Sequence, residues 1–189
     1  MTDTDLMMRV KSGDKGAFRC IVETYRRRVI NVGYRILGNR EDAEDVAQET
    51  FLKLYLSAGK YQPKAELFTY LYTIATRLAL NRLRRRKRLG WFSLDQLQAP
   101  KEDGPGLEFP SEPADQPDVS LEQKEREEVV RRALDTLPAA QKIAVVLSRY
   151  EELSYSQIAK VMDISVSAVE SKLHRAKQSL KKRLGGYMA

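Results

Sequence analysis

Residues 90–118 interrupt a chain of 189 residues that otherwise follows a helical period. This stretch, "GWFSLDQLQAPKEDGPGLEFPSEPADQPD", holds five of the seven prolines and seven of the acidic residues. Proline removes a backbone donor, and a polar acidic stretch cannot bury enough apolar surface to order itself. We therefore predict a flexible acidic linker at residues 91–120. It separates two small domains, residues 1–90 and 121–189, each with its own modest core.

Both flanking parts are predicted to be helical, so the fold class is all-α. In residues 17–37, apolar side chains recur at spacings of three and four and form one stripe. Gly38 ends this helix and Asn39 caps the next one. After the linker, Pro138 suits the first position of a helix, and Ser154 with Gln157 forms a capping box. No segment shows the alternation of a β-strand.

The charge is basic in both predicted domains. The chain has 33 Lys and Arg against 26 Asp and Glu, and residues 91–121 carry a net charge of −6. The densest run, "NRLRRRKR" at residues 81–88, has six cations in eight positions, more than a helix dipole explains. Such a run is typical of phosphate binding. Tyr61, in the loop upstream, is a candidate for stacking on an unpaired base.

Several classes of protein are disfavoured. The N-terminus, "MTDTDLMMRV", has acids where a signal peptide has basic residues, and no apolar run reaches about 18 residues. We expect a cytoplasmic protein without direct membrane insertion. Cys20 is the only cysteine and His174 the only histidine, so we predict no disulfide, no metal site and no cofactor. No nucleophile–base pair is evident, and we predict that the chain is not an enzyme.

Residues 155–184 have the pattern of a helix-turn-helix. A short helix, a tight turn and a longer basic helix follow one another, and the second helix of this motif enters the DNA major groove. If Val169, Leu173 and Ala176 point inward, the opposite face points toward DNA. That face comprises Ser167, Glu170, Ser171, Lys172, His174, Arg175 and Lys177. Glutamate can accept a hydrogen bond from cytosine, so Glu170 is a candidate for reading a base rather than contacting a phosphate. The alternative is a surface helix with a solvated basic face.

One helix, "EDAEDVAQETFLKLY", is acidic within a basic chain. Glu41 and Asp42 lie in its first turn, where the helix dipole favours them. Glu41, Asp45 and Glu49 lie four residues apart, and like charges at that spacing repel. Acids held outward in this way suit a basic protein partner rather than DNA. We predict that the contacts are Asp45, Gln48, Glu49 and Leu52.

Three segments, in this order, resemble bacterial RNA polymerase sigma factors of the sigma-70 family, in the extracytoplasmic-function (ECF) group. The acidic helix looks like region 2.2, and "ELFTYLYTIATRLALNRLRRRKR" looks like regions 2.3 and 2.4. "LPAAQKIAVVLSRYEELSYSQIAKVMDISVSAVESKLHRAKQSL" looks like region 4. The resemblance implies a protein that binds core RNA polymerase, opens the minus-ten element with region 2 and reads the minus-35 element with region 4.

The resemblance also implies partners and roles. Region 2.2 would dock on the clamp helices of the beta-prime subunit, region 4 would meet the beta flap, and an anti-sigma factor would hold the protein inactive. The linker would either thread toward the polymerase active centre or serve only as a tether. The residues implied for minus-ten DNA are Lys60, Tyr61, Lys64, Thr73, Arg77, Asn81, Arg84, Arg85, Lys87 and Arg88.

The sequence is also compatible with three other classes of protein. A dimeric helix-turn-helix regulator explains residues 138–184 but gives residues 1–90 no task. An enzyme acting on nucleic acid lacks candidate catalytic groups. An adaptor that binds only protein explains the acidic helix but neither of the basic surfaces.

Overall fold

The computed structural model describes residues 2–61, 66–92 and 121–185, and every regular element within these ranges is helical. The predicted all-α fold class is confirmed. The predicted linker lies outside the described residues, apart from positions 91 and 92, which complete a helix that began at Leu67. The helix in the first part of the chain therefore runs two residues past the predicted boundary at residue 90.

Residues 3–92 form a group of four α-helices, which we call the N-terminal unit. It comprises α1 (Asp3–Lys11), α2 (Lys15–Leu37), α3 (Arg40–Ser57), a 3-10 turn (Ala58–Lys60) and α4 (Leu67–Phe92). The long α2 packs against α1, α3 and α4. Its apolar stripe is buried at the centre of this unit, as its spacing predicts.

Two glycines set the geometry between α2 and α3. Gly38 ends α2 in the left-handed conformation, with φ of +71°, and its amide donates to the Tyr34 carbonyl at 2.7 Å. Asn39 then caps α3, accepting from the Asp42 amide at 2.9 Å. A Cβ on Gly33 would lie 3.3 Å from the Ala43 Cα and Cβ, so glycine permits the close approach of the two helices.

Residues 121–184 form a second group, the C-terminal unit. It comprises α5 (Leu121–Asp135), α6 (Ala139–Arg149), α7 (Tyr155–Met162) and α8 (Val166–Leu184). α5, α6 and α7 each pack against α8. The predicted capping box opens α7. Gln157 Oε1 accepts from the Ser154 backbone amide at 2.9 Å, and the backbone amide of Gln157 donates to Ser154 Oγ.

The two units share one apolar core rather than holding two separate ones. α7 packs against α4, and α6 packs against α2. The buried cluster continues from Leu71 and Tyr72 of α4 to Leu147, Ile158 and Val161 of the C-terminal unit. A smaller cluster lies around Ala176 of α8. α6 and α7 bury apolar side chains against the N-terminal unit as well as against α8, so the larger cluster continues across both units.

None of the helices in the parts of the chain that the structure describes is long and apolar enough to cross a membrane. In the same parts, no three His, Cys, Asp or Glu side chains are grouped as metal ligands.

Candidate protein and nucleic-acid interfaces

The acidic face of α3 is partly neutralised inside the molecule by the basic α4. Arg82 Nη1 lies 2.8 Å from Asp42 Oδ1 and 3.2 Å from Asp45 Oδ2. Arg86 also pairs with Asp42, and it donates to the Leu37 carbonyl at 3.2 Å. Two cations of the 81–88 run therefore hold α3 against α4. Asp45 therefore already has a partner within the chain, Arg82, while its carboxylate stays about half exposed.

The other side of α3 forms an apolar groove with α2, about 670 Å³ in volume, which we call the α2/α3 groove. Gln48 and Leu52 line it, and Leu52 is 56% exposed despite being apolar. Phe18 and Tyr55 stack edge-to-face in it, with ring centroids 5.0 Å apart. The basic side chains at its edge come from α2 and are Lys15, Arg19 and Arg26.

This groove has the character of a protein-binding surface. It is open, apolar in the middle and charged at the edge, which is the anatomy of a protein interface. Glu49, the fourth predicted contact, pairs with Lys53 at 3.4 Å one turn from Leu52. Sequence reasoning found Gln48 and Leu52 but missed Phe18 and Tyr55. The available signal was the apolar side chains of Leu52, Tyr55 and Leu56, which lie off the buried face at the end of an amphipathic helix.

The loop before α4 differs from its expected form. Tyr61 was expected to be exposed, but it is only 8% exposed, and its ring lies edge-to-face with Tyr70 at 6.1 Å. Burial, together with the nearby Asp3, raises the pKa of its hydroxyl. In this arrangement the ring is packed against the N-terminal unit and cannot stack on a base. Lys60 is exposed beside it, and Lys64 lies outside the described residues.

The predicted DNA-facing residues of α4 have different environments. Thr73 is half-buried, and its hydroxyl donates to the Thr69 carbonyl at 2.8 Å. Arg77 is exposed, and its Nη2 lies 3.4 Å from Oδ2 of Asp163 in the C-terminal unit. Asn81, Arg84 and Arg85 are exposed to solvent. Lys87 and Arg88 continue the helix, and their side chains are outside the described part.

Besides the pair of Arg77 with Asp163, further polar contacts join the two units, among them those of Lys142, Tyr72 and Arg35, and sequence reasoning found none of them. Lys142 of α6 is 6% exposed, and its Nζ donates to the Ile36 carbonyl at 2.7 Å. The Tyr72 hydroxyl of α4 donates to Glu151. The Arg35 guanidinium lies 4.3 Å from the centre of the Tyr150 ring. Burial raises the pKa of Glu151, although the Tyr72 hydrogen bond acts in the opposite direction.

The helix-turn-helix has the predicted geometry. Asp163 closes α7 in the left-handed region, with φ of 56°, and Ser165 caps α8 by accepting from the Ala168 amide at 3.2 Å. Val169 and Ala176 are fully buried. The predicted outer face points to solvent: Ser167, Glu170, Ser171, His174, Arg175 and Lys177 are exposed, and Lys172 is half-buried.

The environment of this outer face suits a polyanion. Gln178 Nε2 lies 2.8 Å from His174 Nε2, which orients the imidazole along the helix. A cleft of about 340 Å³ separates the start of α6 from α8 and is lined by Gln141, Ser171, Lys172 and Arg175, among others. Basic and hydroxyl side chains beside an open cleft are the groups that bind a phosphate backbone.

A helical chain with a helix-turn-helix in one unit and an exposed basic helix end in the other defines a DNA-binding transcription protein. The family model described as Sigma-70 region 2 matches residues 21–89, and that described as Sigma-70, region 4 matches residues 127–180. The chain belongs to the sigma-70 family of RNA polymerase sigma factors, in its ECF group. As such it binds core RNA polymerase and promoter DNA and directs promoter-specific initiation.

Relatives and solved structures agree with this assignment. The chain is 33% identical to the ECF RNA polymerase sigma factor SigW of Bacillus subtilis, over 93% of this chain and 92% of SigW. It is 32% identical to the RNA polymerase sigma-H factor of Pseudomonas aeruginosa, over 96% and 93% of the two chains. CnrH in complex with the cytosolic domain of CnrY has the same fold, with a TM-score of 0.69, 21% identity and coverage of 98% and 99%.

The resemblance inferred from the sequence is thereby confirmed. The matches span both units, whereas a stand-alone helix-turn-helix regulator would account for the C-terminal unit alone.

Proposed function

We propose that the α2/α3 groove is the surface by which this sigma factor docks on the clamp helices of the beta-prime subunit. The observation that carries the proposal is the exposed Leu52 over a groove of about 670 Å³. Gln48 and Leu52 contact the clamp directly. Glu49, which pairs with Lys53, lies at the edge, and Asp45, which pairs with Arg82, lies on the α4 side. Both carboxylates are about half exposed and accept further contacts from the clamp.

The proposed DNA contacts divide between the units. Residues 1–90 act as region 2, and α4 meets the minus-ten element. Residues 121–189 act as region 4, which reads the minus-35 element through the outer face of α8 and contacts the beta flap. Residues 91–120 connect them. The minus-ten contacts are Lys60, Lys64, Thr73, Arg77, Asn81, Arg84, Arg85, Lys87 and Arg88, with Tyr61 joining them only if its ring turns outward.

The proposed activity is recognition, not chemistry. Core polymerase carries out nucleotidyl transfer, and this chain supplies docking and promoter reading without being an enzyme. Its place of action is the cytoplasm, where core polymerase and promoter DNA are found.

An anti-sigma factor is the proposed negative regulator. The sigma factor RpoE of Bartonella quintana has been solved in complex with the anti-sigma factor NepR, and it has the same fold, at a TM-score of 0.66 and 20% identity. CnrH, also of this fold, has been solved in complex with the cytosolic domain of CnrY. The proposed partner covers exposed apolar surface on the N-terminal unit, for which the α2/α3 groove is a candidate.

The test is gel filtration with bacterial core polymerase, followed by transcription from a promoter library with the eluted complex. We compare Leu52→Arg with Leu56→Arg. Leu56 is also on α3 and is 74% exposed, but it does not line the groove. Leu52→Arg should weaken core binding by about 2 kcal/mol or more, as loss of an interface hot spot does, and Leu56→Arg should bind as the wild type does.

Equal weakening by both substitutions, or by neither, would place the docking surface elsewhere. New promoter-specific transcripts from the library would also provide the two DNA elements. If the wild type does not co-elute with active core polymerase, the proposal that the α2/α3 groove docks on core is wrong.

A further inference from the structure

The first two turns of α8 present two side chains that do not attract phosphate. Val166 is the first residue of the helix and is 42% exposed, and Glu170, four residues later, is also exposed. Residues four apart lie on the same side of a helix, so the valine methyl groups and the carboxylate form one short stripe. A helix that bound DNA only through charge would have no use for either group.

Two cations of α8 lie on a different side of the helix. Lys172 follows Glu170 by two residues, which is a turn of about 200° around the axis. Lys172 and Arg175 line the cleft of about 340 Å³ beside the start of α6, whereas Val166 and Glu170 do not. The cations are therefore placed for phosphates. Val166 and Glu170 lie at the N-terminal end of the helix, which is the part of a recognition helix that meets base edges.

Glu170 is also available for a contact outside the protein. The salt bridges within the described C-terminal unit join acids of α5 to Arg131, Arg132 and Lys142, and none of them involves Glu170. An ionised carboxylate accepts hydrogen bonds and donates none, and the phosphates of DNA repel it. In the major groove it is stabilised only by a base that donates a hydrogen bond.

The four bases differ in what they offer to this carboxylate. Guanine presents two acceptors in the major groove, and thymine presents one acceptor and a methyl group. Adenine presents its N6 amino group next to the N7 acceptor, which repels a carboxylate. Cytosine presents its N4 amino group without an adjacent acceptor. The chemistry of Glu170 therefore favours cytosine over the other three bases.

Val166 has one suitable partner in the same groove. Its methyl groups cannot form hydrogen bonds, and the apolar group that a base presents there is the C5 methyl of thymine. Four residues advance the helix by about 6 Å, whereas neighbouring bases are about 3.4 Å apart. A thymine at Val166 and a cytosine at Glu170 would therefore lie within about two base pairs of each other.

We propose that Glu170 and Val166 determine the base preference of region 4. Glu170 selects a cytosine through its N4 amino group, and Val166 selects a nearby thymine through its methyl group. Lys172 and Arg175 bind phosphates and contribute affinity without selecting a base. This inference rests on the proposed role of α8 in reading the minus-35 element, and it names the bases that α8 reads.

The first test is selection of promoters with a randomised minus-35 element by holoenzyme that contains the wild type or Glu170→Gln. The wild type should favour cytosine at one position by about tenfold, within the discrimination of a good base contact. Glu170→Gln should change the preferred base at that position to adenine, because glutamine bonds both N6 and N7. The same preferred bases in both proteins would overturn the role of Glu170.

Lys172→Ala is the control for contacts that carry no sequence information. It should weaken binding to all selected sequences alike and reduce the slope of affinity against salt by about one, with the preferred bases unchanged. A changed base at any position in Lys172→Ala would overturn the division of α8 between bases and phosphates.

The second test replaces single thymines of the selected minus-35 duplex with deoxyuridine, which lacks only the methyl group. Near the selected cytosine, one replacement should weaken binding of wild-type holoenzyme about fourfold, as loss of one buried methyl group does. Val166→Ala should bind both duplexes equally. If no replacement weakens the wild type, or if Val166→Ala loses as much, Val166 does not read thymine.

The outcomes separate this inference from the proposed function. If wild-type holoenzyme selects no minus-35 sequence at all, the proposed function of region 4 is wrong, and the inference is wrong with it. If it selects a sequence that neither Glu170→Gln nor Val166→Ala alters, region 4 reads DNA through other residues and only the inference is wrong. Both side chains are exposed, so both variants should fold, as circular dichroism will show.

Discussion

α8 and α4 are both basic helices proposed to meet DNA, but the structure gives them opposite exposure. On α8, Glu170, Arg175 and Lys177 point to solvent with no part of the described chain over them. On α4, Thr73 is half-buried and Arg77 faces Asp163. The comparison shows that a similar sequence pattern produces an available surface in one unit and a covered one in the other. What differs is the packing around the helix.

The strongest test of the coupling between α4 and the C-terminal unit is Ile158→Ala. Ile158 is fully buried in α7, within the core that the units share. Its truncation should lower the free energy of unfolding by about 2–5 kcal/mol, because it leaves a cavity. Hydrogen exchange should then quicken in α4 as well as in α7.

Leu134→Ala in α5 is the matched comparison, since Leu134 is buried in the smaller cluster of the C-terminal unit. It should quicken exchange in the C-terminal unit and leave α4 protected. If Ile158→Ala leaves α4 protected too, the two units are not coupled through α7.

A second experiment separates the two DNA surfaces. Arg175→Ala in α8 should weaken binding of the free protein to minus-35 duplex by about 1–3 kcal/mol, the loss typical of an arginine that contacts DNA. Arg84→Ala in α4 should leave that duplex affinity unchanged and weaken only the minus-ten fork bound by holoenzyme. Salt titration of both complexes measures the effect, because each lost phosphate contact reduces the slope. A loss of duplex binding in Arg84→Ala would show that α4 contacts the minus-35 duplex in the free protein.

The third experiment uses pH to compare two carboxyl groups. Burial raises the pKa of Glu151 above its ordinary 4.5, despite the Tyr72 hydroxyl and the nearby Arg35 and Arg28. The folded state then binds the extra proton, so stability falls as the pH rises from 4.5 through the raised pKa. Glu151→Gln should remove this fall, as measured by urea unfolding across that range.

Glu128 of α5 behaves in the opposite way. Hydrogen bonds from Arg131 and Arg132 lower its pKa to about 2, so its contribution is present above pH 4.5 and is lost as the pH falls toward 2. Glu128→Gln should remove the loss of stability between pH 4.5 and about 2 and leave the change above pH 4.5 as it is. If both substitutions alter stability in the same pH range, the fall above pH 4.5 does not come from the buried Glu151.

The smallest effect is expected from Asp163→Asn. The exposed pair with Arg77 is worth about 0–1 kcal/mol, so the free energy of unfolding measured in urea should barely change. Asp163 closes α7 with φ of 56°, a conformation that asparagine also tolerates, and the turn should persist. A large loss of stability in this variant would show that the surface pair contributes more than exposed pairs usually do.

Sequence reasoning predicted most of the helices and several local details of the candidate site. Gly38 with Asn39 and Ser154 with Gln157 lie at the helix ends where they were expected. Gln48 and Leu52 were predicted as outward residues and do line a groove. Tyr61 was expected in solvent and is buried, because its ring packs on Tyr70, nine residues further along the chain and in a different element.

The sequence by itself determined the helical class, the helix ends and the inward and outward faces of α8. These depend on interactions within about four residues, which a periodic pattern and a capping residue specify locally. Only the tertiary structure decided that Arg82 pairs with Asp45, 37 positions away, and that Lys142 reaches the Ile36 carbonyl, 106 positions away. A charge in a sequence has many possible partners, and the choice among them is made when packed helices bring one partner near and remove water from the rest.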